Sequence, residues 1–456
     1  MEDIYLNELI KAVNGEFLIG NPKMPINNIS IDSRKFCKGD FFFAIKGKKF
    51  DGHIFLNEVA KKSPSGLVVS LKNLDIGKPF PHFPAIVRVA DTTKALGDLA
   101  LYYREKFNTK LIAVTGSNGK TTTKQMLCSI LKQGGKTLSN EGNYNNLIGL
   151  PLTLLKLEPK HKYAVVEVGT SSFGEIKRLS QICKPLIGII TNIGESHLAD
   201  FKNKEGVYKE KKSLLENIQD GGFAVLNGDD EYLKEEMRLK EKETVTFGLS
   251  KNCSVYADNI KLYFGYSTFN LHIGENSAQI HLPLGGKFNV YNALAAACAA
   301  WKLGIDVYMI KEGLESFSPP KMRMEVLNSK SGAIVINDAY NANPTSMREV
   351  IDGFADLFKN KNKILVLGDM LELGVDEDKY HIELGEYLKD KSVDNILFYG
   401  NLMKKSYEAM ESQSAEYFKT KEDLLLKLEA MLDKNTAVLF KASRGMMLEK
   451  TINGIL

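Results

Sequence analysis

The strongest signal in this chain is the segment Val114-Thr115-Gly116-Ser117-Asn118-Gly119-Lys120-Thr121-Thr122-Thr123. An apolar run, Leu111–Val114, leads into it and predicts a buried strand. Behind it, apolar residues from Met126 to Leu131 recur at helical spacing, which predicts that the segment opens a helix. Because the free N–H groups in the first turn of a helix point at anions, we predict a phosphate-binding loop here.

The residue types in this loop suit a nucleoside triphosphate. Glycines let backbone amides approach phosphate oxygens, Lys120 can reach the terminal phosphates, and the Thr121 hydroxyl can ligate magnesium. The predicted ATP-binding loop comprises Gly116, Ser117, Asn118, Gly119, Lys120, Thr121 and Thr122. Only two residues separate its glycines, whereas the usual phosphate loop has four, and Val114 stands where the longer loop needs glycine. The segment is therefore interpreted as an ATP-binding loop, and the alternative is a glycine-containing turn before a helix. It does not indicate which reaction uses the ATP.

Length and composition limit the class of protein. A chain of 456 residues is long enough for about three domains. The 60 basic and 56 acidic side chains give a formal charge of +4, which argues against a dedicated nucleic-acid binder and allows an anionic small substrate. Five widely separated cysteines favour reduced, mostly buried thiols over a disulfide framework. Because we find no leader pattern and no apolar stretch of bilayer length, we expect a cytoplasmic protein without a membrane span.

The order of predicted strands and helices indicates an α/β protein of three domains. Residues 1–107 mix short strands and helices and predict a small α/β domain. Residues 108–318 predict a mostly parallel sheet covered by helices, as in P-loop ATPases, with an antiparallel excursion at 255–284. Beyond Pro319-Pro320, residues 319–456 predict a Rossmann-like domain that lacks the G-x-G-x-x-G fingerprint.

Polar residues follow two predicted strands of the central domain. Glu167 comes directly after a buried strand, Thr191-Asn192 ends the next one, and His197 lies shortly beyond it. Since the carboxyl ends of parallel strands meet at one edge of a sheet, these groups are expected to converge there. A carboxylate and an imidazole at that edge can bind a divalent cation. The alternative for His197 is a structural histidine.

Together these motifs resemble the Mur ligase family, the ATP-dependent amide ligases of peptidoglycan precursor synthesis. The resemblance covers essentially the whole chain, through the phosphate loop, Glu167-x-Gly169 and Thr191-Asn192-Ile193-Gly194-x-x-His197. Other segments are similar to the family members that add D-alanyl-D-alanine to UDP-N-acetylmuramoyl-tripeptide: Asp32-Ser33-Arg34, Gly39-Asp40, Asp51-Gly52-His53, Asn143-Tyr144-Asn145-Asn146, Asp338-Ala339-Tyr340-Asn341-Ala342-Asn343-Pro344 and Leu367-Gly368-Asp369-Met370-Leu371-Glu372-Leu373-Gly374. The resemblance therefore implies those two substrates. It implies that the first domain binds the UDP-linked substrate, the central domain ATP and magnesium, and the third domain the dipeptide. We expect a cytoplasmic monomer.

The resemblance also implies roles for single residues. Lys120, His197 and Lys211 are expected to be catalytic, with Lys211 carrying a carbamate formed from carbon dioxide. Two magnesium ions are expected at Thr121, Glu167, His197 and the Lys211 carbamate. The alternative for Lys211 is a solvated lysine without a functional role, because Lys209 and Lys212 are its neighbours.

The remaining implied contacts are divided among the three substrates. The following positions match the family's segments for ATP: Asn289 and Asn292 at adenine, and Arg323, Asp338 and Asn341 around the ribose and phosphates. Ser33 and Arg34 are expected to bind the UDP-linked substrate, and Ser443 and Arg444 the dipeptide. The alternative for Asn289 is a helix cap.

Two departures from the family pattern put individual contacts in doubt. Ser171-Ser172 lies where an Asn-His-Pro-like run is usual, and Phe288 replaces a histidine. The third residue of the tripeptide, lysine or diaminopimelate, and the base that accepts the proton of the amine stay open. The alternative enzymes are a Mur ligase that adds a single amino acid and a folylpolyglutamate-type ligase. A non-enzymatic alternative is an ATP-driven binding switch.

Overall fold

The computed structural model describes residues 4–47, 50–70, 83–239 and 243–456. Within these ranges the main strands form three sheets, one in each third of the chain, and helices cover the sheet faces. The predicted α/β class with three sheet units is therefore confirmed.

The N-terminal unit is built on a small five-stranded sheet. Its elements are β1 (Ile4–Tyr5), α1 (Leu6–Ala12), β2 (Glu16–Ile19), β3 (Pro25–Ile26), β4 (Ile29–Ser30), β5 (Phe41–Phe43), α2 (Leu56–Ala60), β6 (Gly66–Val69), β7 (Ile86–Arg88) and α3 (Thr92–Arg104). The sheet order is β2-β7-β6-β5-β4, with only the β2–β7 pair antiparallel. Strands β1 and β3 form a separate antiparallel pair.

The central unit carries a nine-stranded sheet. Its elements are β8 (Lys110–Thr115), α4 (Lys120–Gly134), β9 (Thr137–Ser139), α5 (Gly149–Leu154), β10 (Tyr163–Glu167), α6 (Glu175–Cys183), β11 (Ile187–Ile190), α7 (Leu198–Phe201), α8 (Lys204–Lys212), β12 (Phe223–Asn227), α9 (Glu231–Leu239), β13 (Glu243–Gly248), β14 (Val255–Tyr263), β15 (Tyr266–Ile273), β16 (Asn276–Leu282), α10 (Lys287–Lys302) and α11 (Val307–Glu315). The sheet order is β16-β15-β14-β13-β12-β11-β8-β10-β9. Strands β8 to β14 pair in parallel with their neighbours in this order, and β14, β15 and β16 pair antiparallel, as the sequence pattern predicts.

The C-terminal unit has a six-stranded sheet. Its elements are β17 (Glu325–Asn328), β18 (Ile334–Asp338), α12 (Pro344–Leu357), β19 (Asn362–Gly368), α13 (Glu377–Leu388), β20 (Asn395–Tyr399), α14 (Met403–Met410), β21 (Ala415–Phe418), α15 (Lys421–Met431), β22 (Thr436–Lys441) and α16 (Glu449–Ile455). The order is β17-β18-β22-β19-β20-β21, and only β17 runs antiparallel to its neighbour.

Strand β8 occupies the position where the central sheet changes its winding direction. It lies between β10 and β11, so the loop that follows it opens into the crevice between two oppositely wound halves. Open α/β sheets bind ligands in such crevices, beyond the carboxyl ends of their strands. All five residues of β10 are buried, as expected for a strand covered on both faces. The topology thus places the phosphate loop and Glu167 side by side.

The units are packed against one another. Phe358, which directly follows α12, meets Phe264 from the central antiparallel region edge to face, with ring centroids 5.2 Å apart. One apolar core cluster contains buried residues from all three units. The predicted domain boundaries fall between α3 and β8 and between α11 and β17. In the described part of the chain, no helix combines the length and apolarity needed to cross a membrane.

Candidate active site

Both glycines of the phosphate loop are required by the local backbone. Gly116 has φ of 146° and Gly119 has φ of 80°, conformations that side chains rarely allow. A Cβ atom on Gly116 would lie 1.8 Å from the Thr191 hydroxyl oxygen, and one on Gly119 would lie 2.0 Å from Asn292 Oδ1. The loop therefore lies directly against its neighbours, with its backbone amides exposed to a ligand only because these positions lack side chains.

The loop is fixed to the end of the neighbouring strand β11. Ser117 Oγ donates a hydrogen bond to the Gly194 carbonyl at 2.9 Å, and the Thr191 hydroxyl donates to the Asn118 carbonyl at 2.6 Å. Asn192 Oδ1 accepts a hydrogen bond from the Asn118 N–H at 2.9 Å. The Thr191-Asn192 pair thus holds the loop in shape.

Lys120 is the first residue of α4 and lies inside the curve of the loop. Its Nζ donates to the carbonyls of Gly116 at 2.7 Å and Ser117 at 3.1 Å. Burial lowers its pKa; the negative charge of Glu167 opposes this shift, and the positive charge of Arg323 adds to it. An anion delivered to the loop would give this buried ammonium group a charged partner.

Glu167 ends β10 opposite the first turn of α4. Its side chain accepts hydrogen bonds from the Thr121 hydroxyl at 2.7 Å and from Asn145 Nδ2 at 2.8 Å. Burial would raise the pKa of this carboxyl, but the charges of Lys120 and Lys124 outweigh it and the net pKa is lowered. Glu167 is therefore an ionised, oriented carboxylate 4% exposed to solvent.

His197 and Lys211 line the same cleft as Glu167. His197 has φ of 51°, and its Nδ1 contacts Glu372 Oε2 at 2.8 Å. A carboxylate on one ring nitrogen orients a histidine so that the other nitrogen can bind a metal. Glu372 comes from the C-terminal unit, so this contact also crosses the cleft.

Lys211 lies on α8 and is 2% exposed. Its pKa is lowered well below the ordinary value by burial and by the charge of Lys120, with Glu210 opposing the shift. The Glu210 carboxylate accepts hydrogen bonds from the N–H groups of Gly174 and Ile176, both at 2.7 Å. The solvated-lysine alternative is therefore wrong, because the side chain is buried.

The polar groups at this edge suit a hard cation whose ligands come partly from a nucleotide. Among the residues that the structure describes, no three His, Cys, Asp or Glu side chains lie close enough to hold a metal by themselves. Magnesium commonly takes one or two carboxylates and fills its shell with phosphate oxygens and water. Glu167 fits that pattern, with the Thr121 hydroxyl oxygen beside it.

The C-terminal unit contributes residues to the cleft and contacts the phosphate loop. Arg323 Nη2 donates to the Thr121 hydroxyl at 3.1 Å, and its guanidinium lies 4.2 Å from the centre of the Tyr340 ring. Asn343 Nδ2 donates to Asn118 Oδ1 at 2.8 Å. The C-terminal unit therefore contacts the phosphate loop at Thr121 and Asn118.

Most of the predicted site residues line this one cleft, whose volume is about 530 Å³. They are Ser117, Asn118, Gly119, Lys120, Thr121, Thr122, Glu167, His197, Lys211, Asn289, Asn292, Arg323, Asp338, Asn341 and Arg444. The two departures also lie there, since Ser171 and Phe288 are part of the lining.

The predicted substrate residues of the N-terminal unit lie outside the cleft. Arg34 binds Asp32 through Nε and Nη2, both at 2.9 Å, and its side chain is 83% exposed. Ser33 Oγ donates to Glu58 Oε2 at 3.3 Å. Arg34 is thus available to an anionic ligand at a separate surface.

The two predicted adenine residues are already hydrogen-bonded to the protein. Asn289 Nδ2 donates to the Gly285 carbonyl at 2.7 Å, and Asn292 Nδ2 donates to Asn289 Oδ1 at 3.1 Å. The cap of α10 is Gly286, so the simple cap interpretation of Asn289 is wrong. This pair fixes the helix turn that faces the phosphate loop.

Comparisons with known proteins decide the family. Sequence models match residues 114–300 as Mur ligase middle domain, 322–444 as Mur ligase, glutamate ligase domain, and 25–63 as Mur ligase family, catalytic domain. The UDP-N-acetylmuramoyl-tripeptide–D-alanyl-D-alanine ligase of Bacillus subtilis is 35% identical over 435 residues, which cover 94% of this chain and 93% of that protein. The chain belongs to the Mur ligase family.

Solved Mur ligases share the whole architecture. The crystal structure of MurF from Acinetobacter baumannii matches with a TM-score of 0.92 at 33% identity, covering 100% of this chain and 99% of that one. The MurF ligase from Thermotoga maritima in complex with ADP matches with a TM-score of 0.84 at 27% identity, covering 94% and 97%. As a Mur ligase, the chain is an ATP-dependent enzyme that forms amide bonds.

Sequence reasoning did not assign several residues of this Mur ligase site. Asn145, which orients Glu167, belongs to a quoted segment but carries no predicted role. Tyr340 and Glu372 likewise lie in quoted segments, and they line the cleft together with Lys441. Only Lys441 left a usable signal, since a lysine that ends a strand of buried residues needs a nearby anion.

Proposed function

We propose that this Mur ligase joins D-alanyl-D-alanine to UDP-N-acetylmuramoyl-tripeptide at the expense of ATP, giving the UDP-linked pentapeptide precursor of peptidoglycan. The observation that carries the proposal is that one cleft is lined by the phosphate loop, by the Glu167 carboxylate and by Arg323 and Arg444 of the C-terminal unit. Both substrates are those named for the Bacillus subtilis relative, which aligns along nearly the whole chain.

The cleft supports a reaction through an acyl phosphate. The terminal carboxylate of the tripeptide attacks the γ-phosphorus of ATP, and ADP leaves. The amine of D-alanyl-D-alanine then attacks the acyl carbon and loses a proton, and the tetrahedral intermediate expels phosphate to leave an amide. Lys120 and Arg323 place two positive charges at the loop where charge moves between phosphoryl oxygens, which is the main catalytic contribution in phosphoryl transfer.

Magnesium fits the carboxylate edge of the cleft. Glu167, Thr121 and His197 would hold it, together with the phosphates of ATP and a carbamate on Lys211. When bound, magnesium neutralises phosphate charge. A buried ammonium on Lys211 would repel that cation, whereas a carbamate adds an anionic ligand, and two ions are expected at this set of groups.

A phosphate-release assay tests the proposed reaction. The purified protein with ATP and magnesium should release phosphate only when both UDP-N-acetylmuramoyl-tripeptide and D-alanyl-D-alanine are present, and one amide product should form for each phosphate. Release without either substrate would point to a binding switch, and release with a single amino acid in place of the dipeptide would point to another ligase of the family.

We further propose a division of labour: the N-terminal unit holds the UDP-linked substrate, the central unit ATP, and the C-terminal unit the dipeptide. Arg34→Ala should raise KM for the UDP-tripeptide about ten- to a hundredfold and leave the dipeptide KM unchanged, because a charged hydrogen-bonded contact contributes roughly 1.5–3 kcal/mol. Arg444→Ala should do the reverse. Steady-state kinetics with each substrate varied in turn gives both constants.

Arg348→Ala is the matched control for this pair. Arg348 is a half-exposed arginine of the C-terminal unit that pairs with Glu383 at 3.4 Å and does not line the cleft. Its variant should keep both KM values. The proposed layout would be wrong if Arg444→Ala raised KM for the UDP-tripeptide alone.

A further inference from the structure

Lys441 is a buried lysine at the carboxyl end of β22. Its Nζ donates to Asp338 Oδ2 at 2.6 Å and to the Asn341 carbonyl at 3.1 Å. The side chains of Lys441 and Asp338 are 2% and 13% exposed. Strands β18 and β22 are parallel neighbours with Asp338 opposite Lys441, so the ion pair is set by the register of the sheet.

On one side this ion pair supports the segment that faces the nucleotide. Asp338 Oδ1 accepts a hydrogen bond from the Met324 N–H at 3.1 Å. The preceding residue, Arg323, reaches the Thr121 hydroxyl of the phosphate loop. The Asn341 carbonyl that Lys441 binds lies two residues before Asn343, which contacts Asn118 of the same loop. Lys441 therefore supports both contacts of the C-terminal unit with the phosphate loop.

On the other side the same strand leads into the basic segment at residues 443–444. Ser443 donates its N–H to the Asp369 carbonyl at 3.2 Å, and its Oγ accepts the Leu371 N–H at 2.9 Å. Arg444 contacts Glu449 at 2.8 Å and the Met322 sulfur at 2.9 Å, one residue before Arg323. Arg444 thus contacts the segment that carries Arg323, and Lys441 lies three residues before Arg444 in the chain.

We propose that Lys441 is a positioning residue that couples the nucleotide-binding and dipeptide-binding segments of the C-terminal unit. This inference rests on the proposed function, because it assigns the segment at 443–444 to the dipeptide. Removing the ammonium group leaves the Asp338 carboxylate without its buried partner in the lining of the cleft. Arg323 and Arg444 then lose their common support, although neither contacts Lys441 directly.

Lys441→Met removes the charge and keeps a similar length. We expect the dissociation constant of ADP, measured by titration calorimetry, to rise about tenfold. In steady-state kinetics KM should rise at least about fivefold for both ATP and D-alanyl-D-alanine and stay constant for the UDP-tripeptide. Lys441→Arg, which retains the charge, should restore at least half of the lost ADP affinity.

Lys363→Met is the matched control. Lys363 is a buried lysine near the amino end of the adjacent strand β19, whereas Lys441 is at the carboxyl end of β22. The Nζ of Lys363 lies 3.3 Å from Ser392 Oγ. Its variant should lower the melting temperature without changing ADP affinity or any KM. A Lys441→Met protein that melts lower but binds ADP and dipeptide normally would overturn the inference.

The design separates this inference from the proposed function. If the wild-type protein does not ligate D-alanyl-D-alanine, the proposed function fails irrespective of Lys441. If the wild type ligates but Lys441→Met changes KM for only one of ATP and dipeptide, the coupling fails and the function stands.

Discussion

Lys120→Ala should abolish ligation while the protein stays folded. In the structure the Lys120 ammonium lies within the phosphate loop, bonded to two loop carbonyls. During phosphoryl transfer this charge stabilises the γ-phosphoryl oxygens more in the transition state than in bound ATP. Loss of such a contact costs several kcal/mol, on the order of a thousandfold or more in rate. The measurement is kcat in the phosphate-release assay with all substrates saturating.

Lys132→Ala provides the control for this experiment. Lys132 lies in the last turn of the same helix, α4, and is exposed. Its variant should retain full turnover. Circular dichroism and thermal melting should show that both variants are folded. Unchanged turnover in a folded Lys120→Ala protein would contradict the assignment of the loop.

Local sequence patterns predicted the fold where burial alone decides the structure. The apolar run Tyr163–Val166 forms the strand β10 together with Glu167, and the alternation Phe269, Leu271, Ile273 is one face of the antiparallel strand β15. The order of the strands was beyond such patterns. The position of β8 between β10 and β11 depends on pairing between distant segments, which no local propensity encodes.

The same distinction holds in the cleft. Lys120 and Thr121 were predictable, because a phosphate loop is a contiguous motif. The ion pair of Lys441 with Asp338 joins residues 103 positions apart, and the contact of His197 with Glu372 joins two separate units. Composition gives no sign of such pairs, since they arise only after the sheets have formed and the units have packed.

Lys211 shows how the fold changes the meaning of a residue. In the sequence it is one of several lysines on a charged helix. In α8, however, Lys211 is buried, whereas Lys209 is 63% exposed on its side chain and pairs with Glu205 at 3.6 Å. The helical period thus divides neighbouring lysines between solvent and the cleft.

Lys211→Ala should be nearly inactive, with a loss of at least about a hundredfold in kcat, comparable to the loss of one preorganised electrostatic contact. The substitution removes the proposed carbamate, and with it a negative charge, from the edge of the cleft where magnesium is proposed to bind. Formate or acetate should restore part of the activity, because a small carboxylate can enter the space and replace that charge. Lys209→Ala should keep wild-type activity and show no response to these anions.

The carbamate itself can be observed without measuring activity. Wild-type and Lys209→Ala proteins, equilibrated with ¹³C-labelled bicarbonate, should show a carbamate resonance, and Lys211→Ala should lack it. A neutral amine is the form that attacks carbon dioxide, and the buried position of Lys211 beside the charge of Lys120 favours that form. If the resonance is absent from all three proteins, or Lys211→Ala is fully active, Lys211 does not carry a carbamate.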